Sequence, residues 1–521
     1  MISKPIFKQS LQSNWKLWLI ITIVASMIIS GFIISYDAAG YASIAEAAEG
    51  TAFSNILSTL TSLLGSLENF YKLIAVILGI VYVVFTANNL VVNEVDSGSM
   101  AYTLSTPIKR SSVIFTKSLY LILSVVLMYT VISLAGLTAS QLNYNNVTGY
   151  AITEDVEAAA KTLNHDEDYL SERLYLIQED EDVMREAAIA RDMDTEAYAI
   201  YLEDVIRERS YEEAAEIITD ERYDIYDDDD DMEDEDIEIT MEELMEDPGM
   251  ILDSNDALAA GARVYGLSTN DYRKIVLDEM NDLESSEEVE EEATEEDEEQ
   301  GEEEQEAEEA AEEEQEPQPQ PTASQEAPTP QRQLTEDNAE LLLQTVIDSS
   351  ATALNLSSDQ VSENLTLLKD AEALVLSTQT TGLNEEQITS MANHAMVSSA
   401  RSVDKALEFD VETYLWLSLG LLLLILAMSS IAFFASTLFN RTGMALAIGG
   451  GIPFAFFLIT MIQQLMDSAD GLEYVTITTL FDTDAILAGG EFGWGLVALG
   501  IIALVLYTLS HIIFTKKDLP L

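Results

Sequence analysis

NEVDSGSMAYTLSTPIKRSSVIFTK, Asn93 to Lys117, is polar, carries Gly98 and Pro107, and ends in the basic residues Lys109, Arg110 and Lys117. The runs on either side, Leu73–Val92 and Ile114–Leu137, are almost free of charge. If those runs cross a membrane, this stretch is a short loop on one side of it, where a soluble partner could take hold. The fold therefore turns on whether they cross.

Leu17–Tyr36 has no charged residue over 20 positions. That length spans a hydrocarbon core of roughly 30 Å at about 1.5 Å per residue. Further runs of the same kind are Leu415–Phe439, Met444–Leu465 and Trp494–Phe514. None of the six runs has a polar face to show to water, as a surface helix of a soluble protein would. Small residues after Tyr36 resemble a signal-cleavage region, but the first apolar run exceeds the usual length of about 7–15 residues. An uncleaved span is the better reading.

Lys and Arg in the short loops set the orientation. Lys4, Lys8 and Lys16 precede the first span, Lys109, Arg110 and Lys117 follow the second, Arg441 lies between the fourth and fifth, and Lys516 and Lys517 follow the sixth. The opposite loops, 37–70 and 466–492, carry acid and no Lys or Arg, with Lys72 as the nearby exception. Both termini are thus expected in the cytoplasm. Met1–Lys16 reads as a flank of the first span or as an amphipathic helix along the inner surface. Asn88 and Asn89 mark the end of the second span; the simpler reading is an interface, the other a contact to a neighbouring helix. Gly449-Gly450-Gly451-Ile452-Pro453 predicts a break in the fifth span, with close packing on the small residues as the rival reading. The pattern of Phe53, Ile56, Leu57, Leu60, Leu63 and Leu64 predicts a short helix against the membrane or an outward extension of the second span.

The chain has 521 residues, a formal charge of -69 and no cysteine. Its acid is concentrated in residues 140–411, between the third and fourth spans and extracytoplasmic by this topology. Thr153–Glu221, Asp253–Met280 and Glu336–Leu407 have helical spacing, as in Leu170, Leu174, Ile177 and Tyr198, Tyr201, Val205. Asp227–Asp236 is nearly pure acid, and residues 284–334 combine a Glu tract with a Pro-rich hinge. Such a segment buries too little apolar surface to offset the entropy of ordering, so disorder is expected there. The fold class is therefore an all-α polytopic membrane protein. Residues 1–139 and 412–521 form its two membrane halves, around an acidic, mainly helical, partly disordered insertion.

The residues exclude several chemistries. Acidity argues against nucleic acid as a partner. No G-x-x-x-x-G-K-[ST], H-E-x-x-H or G-x-S-x-G occurs, so no catalytic residue, metal ligand or cofactor site is assigned. No expected span holds an acid or base at mid-depth, which disfavours proton or ion coupling. The acidic tract lacks the glycine and spacing of an EF-hand loop. Energy for any transport should come from a partner.

Asn93–Lys117 resembles the cytoplasmic loop after the second span in ABC-2 type permeases of ATP-binding-cassette transporters. That family shows an acidic residue, a Gly four positions on, a Leu-rich turn, a Pro, a basic residue and a Lys entering the third span. Here these are Glu94, Gly98, Leu104, Pro107, Arg110 and Lys117. The six-span plan is also similar. The resemblance implies a multi-pass protein of a prokaryotic plasma membrane. It implies an exporter subunit paired with a second permease, identical or not, and with two cytoplasmic ATPase subunits that hold ATP and Mg. The loop 93–113 would present a coupling helix to them. Read on its own terms, Glu94–Thr103 can form a helix. Thr106 can cap a new turn with Pro107 at its first position, and Arg110 can face the cytoplasm. A large external insertion between the third and fourth spans also resembles the arrangement in some relatives, but its size and acidity depart from the common members, which leaves the substrate open.

The alternative is a membrane-anchored binding or sensor protein whose acidic domain captures cations or a cationic peptide. Six spans and a Gly/Pro-patterned inner turn are more than such a receptor needs. An intramembrane enzyme would require polar catalytic groups in the spans.

Overall fold

A computed structural model describes residues 2–37, 59–105, 108–226, 237, 239–281, 283, 336–362, 364–465, 476–490 and 492–517. The chain divides into two compact units, Met1–Ala151 with Val403–Leu521, and Ile152–Ser402. Among the described residues there is helix and no strand.

The first unit contains six helices long and apolar enough to span a bilayer: α1 Lys4–Ile34, α2 Leu63–Asp96, α3 Arg110–Tyr144, α4 Val411–Leu438, α5 Thr442–Gln463 and α6 Gly493–Lys516. The chain is a multi-pass all-α membrane protein. Helix α1 begins at Lys4 with Pro5 in its first turn, where a missing N–H costs nothing. No breaker follows, so the basic N-terminal segment is the first turns of the span and not a separate surface helix. Helix α2 starts at Leu63, capped by Ser62, and is the outward extension that the Leu63-Leu64 pattern allowed. Helix α5 breaks at Gly450, between Thr442–Gly449 and Gly451–Leu465. The small residues also pack closely: a Cβ on Gly449 would lie 2.9 Å from Ala435 Cβ and 3.2 Å from Ala432 Cα of α4. Both readings of the Gly-rich segment hold.

Helix α4 is the centre, packed against α2, α3, α5 and α6, while α1 packs on α3 and α2. Buried positions make up 61% of the apolar windows of α2 and α4 but 17% of that of α5, so α5 turns most of its surface outward. Lipid supplies no hydrophobic force between helices, so polar contacts matter there. Tyrosines supply many of them. Tyr82 Oη donates to Ser124 Oγ at 2.7 Å, Tyr129 Oη to the Ala75 carbonyl at 2.9 Å, and Tyr414 Oη to the Ser133 carbonyl at 2.9 Å. The Tyr507 and Ser429 hydroxyls meet at 2.7 Å. Asn89 also binds a neighbour and does not merely mark an interface: its Nδ2 donates to Ser13 Oγ and Asn14 Oδ1 of α1, both at 2.9 Å.

Lys72, the exception in the charge pattern, is neutralised locally. It pairs with Glu68 and, at 3.0 Å, with Asp484 of the short helix Thr483–Leu487. Buried Glu68 also accepts from Thr483 Oγ1 at 2.7 Å. Burial pushes the Asp484 carboxyl up. A hydrogen bond with Glu68 and the Lys72 charge nevertheless hold it, on balance, below the usual carboxylate range.

The second unit is helical throughout its described residues. Val156, Leu170, Leu174, Ile177, Tyr198, Tyr201, Val346 and Ile388 share one core. Tyr211, Leu244, Leu258, Tyr272 and Val276 share another. The long helix Thr195–Tyr226 contributes to both. Buried Asp155 is fully engaged: Arg191 Nε donates at 2.7 Å, Tyr198 Oη at 2.9 Å and Thr153 Oγ1 at 2.6 Å. The tracts 227–236 and 284–334, the Phe53–Leu57 pattern and the Thr106–Pro107 turn lie outside the described residues.

Candidate functional site: the basic end of the membrane unit

The stretch after α2's apolar core is built from two short helices. The helix Ala75–Leu90 ends at Val91, whose φ of -123° and ψ of -73° leave the helical path. Val92–Asp96 resumes it for about a turn. Gly98 then sits at φ +74°, a left-handed conformation that favours glycine, and Met100–Leu104 forms a second short helix. The single helix expected over Glu94–Thr103 is thus split at Gly98. Helix α3 begins at Arg110 after an extended Lys109. Of the expected loop 93–113, both ends are therefore helical, and Lys117 lies two turns inside α3.

Lys117 is 2% exposed, and its Nζ is 2.7 Å from Glu94 Oε2. It also donates to the Leu90 carbonyl, next to the break at Val91. One ammonium thus serves a carbonyl at the helix break and neutralises an acid from the following turn. A buried charge is tolerated only with such partners. This pair joins the ends of α2 and α3 that flank the loop.

Asp96 reaches elsewhere. Its Oδ2 accepts from Thr442 N at 3.1 Å, satisfying a free donor at the start of α5 that Arg441 leaves uncapped. Arg110 Nη1 donates to the Lys517 carbonyl at 3.1 Å, so Arg110 does not project freely. Lys517 Nζ donates in turn to the Thr437 and Leu438 carbonyls at 3.0 and 2.7 Å, at the end of α4. Burial lowers the Lys517 ammonium from its ordinary value. His511 Nε2 of α6 lies 3.2 Å from the Ser111 carbonyl of α3.

The structure thus connects Glu94 and Arg110 to different neighbours and does not bring the expected loop residues into one cluster. Leu104 ends the second short helix; its side chain and Pro107 lie outside the described positions. Sequence reasoning missed Asp96, Lys517 and His511, whose partners are hundreds of residues away. It also missed Tyr102, which is 82% exposed on the short helix Met100–Leu104. As the single aromatic between Asn93 and Arg110 it was visible in the sequence, but its exposure was not. These contacts bond the stretch to α3 through Lys117, to α5 through Thr442, and, through Arg110 and Lys517, to the end of α4.

Six spans around a central α4, with a short helical loop bonded to helices of both halves, define a polytopic membrane protein. Residues 3–160 match the family described as ABC-2 family transporter protein. They include the first three spans and the whole of the Asn93–Lys117 stretch, and the match supports an ABC-2 type permease of an ABC transporter. No curated protein and no solved structure matches the chain.

Proposed function

We propose that this protein is the permease subunit of an exporter energised by a separate cytoplasmic ATPase through the loop 93–113. In this reading the basic end faces the cytoplasm and the acidic unit lies outside. ATP and Mg belong to the partner. This chain's part is mechanical: Tyr102 and its short helix form the contact. The Glu94–Lys117 pair and the Asp96 cap pass displacement to α3 and α5. The observation that carries the proposal is that the loop of one half caps a helix of the other. A second permease, identical or not, completes the transport path.

Extraction in mild detergent and affinity capture tests this reading. An ATP-binding-cassette ATPase should co-purify in stoichiometric amount, and substrate should stimulate its turnover. An isolated chain that never retains an ATPase would count heavily against it. The second reading, capture of a cationic partner by the acidic unit, is favoured by the net charge of -69 and is compatible with transport.

A further inference from the structure

The first half of α1 shows two faces. Ile6, Ser10 and Asn14 are buried in the bundle. Lys4, Lys8, Leu11, Trp15 and Leu19 follow one another at three or four residues on another side and are exposed, and exposed Ile23 continues the row. Lys8 and Ile23 are about 22 Å apart along a helix of 1.5 Å rise. One leaflet with its headgroups is about 20–22 Å thick. The row is therefore one leaflet long, with ammonium groups at its start and aliphatic surface at its end. Trp15 lies between the two. Its indole has no hydrogen bond among the described residues, whereas the neighbouring Trp18 donates to the Ser124 carbonyl at 2.8 Å. An exposed indole suits the level where a leaflet turns from polar to apolar.

The charge at the start of the row is not answered by the protein. Lys4 and Lys8 make no ion pair among the described residues, and residues 1–16 contain no acid. The acids Glu94 and Asp96 of the same end are engaged, with Lys117 and with the Thr442 backbone. The contrast is local. Ser3 N donates to Thr116 Oγ1 at 3.0 Å, one residue from Lys117. The buried lysine of α3 has its carboxylate there, and the two exposed lysines of α1 have none. Lysines at a membrane edge lay their methylenes on apolar surface and turn the ammonium to the headgroups. Uncompensated, they draw anionic lipid.

We propose that this face of α1 holds an anionic phospholipid, its phosphate at Lys4 and Lys8 and its acyl chains along Leu19 and Ile23. The occupant is a lipid and not a free phosphate, because the lysines continue into apolar surface of leaflet length. Phosphatidylcholine has the same phosphate but neutralises it with its own choline, so charge selects against it. The inference does not rest on the permease reading, because lipid retention is measured without any ATPase.

The test places the full chain in nanodiscs of equal parts phosphatidylglycerol and phosphatidylcholine at physiological salt, where diffuse attraction is largely screened. The protein is then released into mild detergent, and native mass spectrometry counts the lipid it keeps. Phosphatidylglycerol should be kept over phosphatidylcholine by at least about fivefold, the contribution of one lysine near an anionic surface. Lys4→Gln with Lys8→Gln, both exposed and shown by thermal melts to leave the fold intact, should bring that preference to within about twofold. Lys4→Arg with Lys8→Arg keeps the charge and should keep the preference. Lys109→Gln with Lys516→Gln removes the same charge from the ends of α3 and α6, off the α1 row, and should also keep it. Excess inorganic phosphate should not displace the lipid. Equal retention of the two lipids by the parent would overturn the proposal. So would equal losses from the two glutamine pairs, which would mean diffuse attraction, an unchanged preference in the Lys4 and Lys8 glutamine variant, or displacement by inorganic phosphate, which would make the site one for the free ion.

Discussion

Asp96 accepts a hydrogen bond from the backbone of Thr442, 346 positions along the chain. A residue in the loop after the second span thereby supplies the cap that the fifth span lacks. The contact is solvent-exposed, so its worth lies more in geometry than in stability. Asp96→Ala should leave the amount and melting temperature of the protein nearly unchanged while lowering substrate-stimulated ATP hydrolysis several-fold. Asp96→Asn keeps an acceptor oxygen and should restore most of that activity. Equal activity of the Ala and Asn variants would mean that the cap transmits nothing.

The Glu94–Lys117 pair makes the opposite kind of prediction. Lys117 is buried, and Glu94 is its charged partner. Removing one member of a buried pair typically costs about 3–5 kcal/mol, because the other charge is stranded. Glu94→Ala should therefore reduce folded yield and thermal stability as well as transport. Lys117→Met together with Glu94→Ala should recover stability, since replacing a whole buried pair by apolar groups is often neutral. Thermal melts in detergent, followed by size-exclusion fluorescence, would check this. A double variant as unstable as Glu94→Ala alone would refute the assigned pairing.

Tyr102 separates contact from folding. Its ring is exposed on the helix Met100–Leu104, and surface substitutions away from special features usually change stability by within about 0.5 kcal/mol. As an aromatic anchor at an interface it should contribute at least about 1–2 kcal/mol to binding. Tyr102→Ala should thus melt like the parent yet retain much less ATPase in a detergent pull-down. Undiminished retention would move the contact elsewhere on the loop.

The legible part of this fold was whatever repeats locally. Six apolar runs gave six spans. The Leu170, Leu174 and Ile177 spacing gave a buried face, and Gly450 gave a break, because each depends on residues a few positions apart. Pairings at a distance leave no such trace. Nothing near Arg110 in sequence points to the Lys517 carbonyl, 407 positions away. Nothing near Asn89 points to Ser13. Lys117 read as the basic edge of a loop because its neutralising acid lies in the preceding helix. In sequence a loop is a gap between apolar runs, but helices continue past the apolar residues wherever backbone bonding does. Hence α2 reaches Asp96 and α3 starts at Arg110.

Gly449 tests the packing of the fifth span on the fourth. A side chain there meets Ala435 Cβ at 2.9 Å and the Ala432 backbone at 3.2 Å, and backbone cannot swing aside. Gly449→Val should cost about 1–3 kcal/mol by overpacking. Gly443→Val, where a Cβ meets nothing within 4 Å, should be far milder and provides the control. Comparable melts for the two variants would mean that α4 and α5 are not in close contact in the membrane.

The acidic unit carries a prediction for pH. Tyr272 is buried, its Oη donates to Ser210 Oγ at 3.1 Å, and burial pushes its phenol up to about 12. A raised value in the folded state means the neutral form is favoured there. The associated stability is fully present below the unfolded value of about 10 and is lost as pH rises from there through about 12. The two values together correspond to a loss on the order of 2–3 kcal/mol. Limited proteolysis of the full-length protein in detergent should show cleavage near Tyr272 accelerating over that interval. Tyr272→Phe cannot ionise. It should lose about 1 kcal/mol at neutral pH with its hydrogen bond, but show a shallower alkaline fall. Other tyrosines of this core, Tyr211 and Tyr265, are also raised by burial, so the variant flattens the profile without abolishing it. A profile identical to the parent's would show that Tyr272 is not the group whose ionisation opens this core.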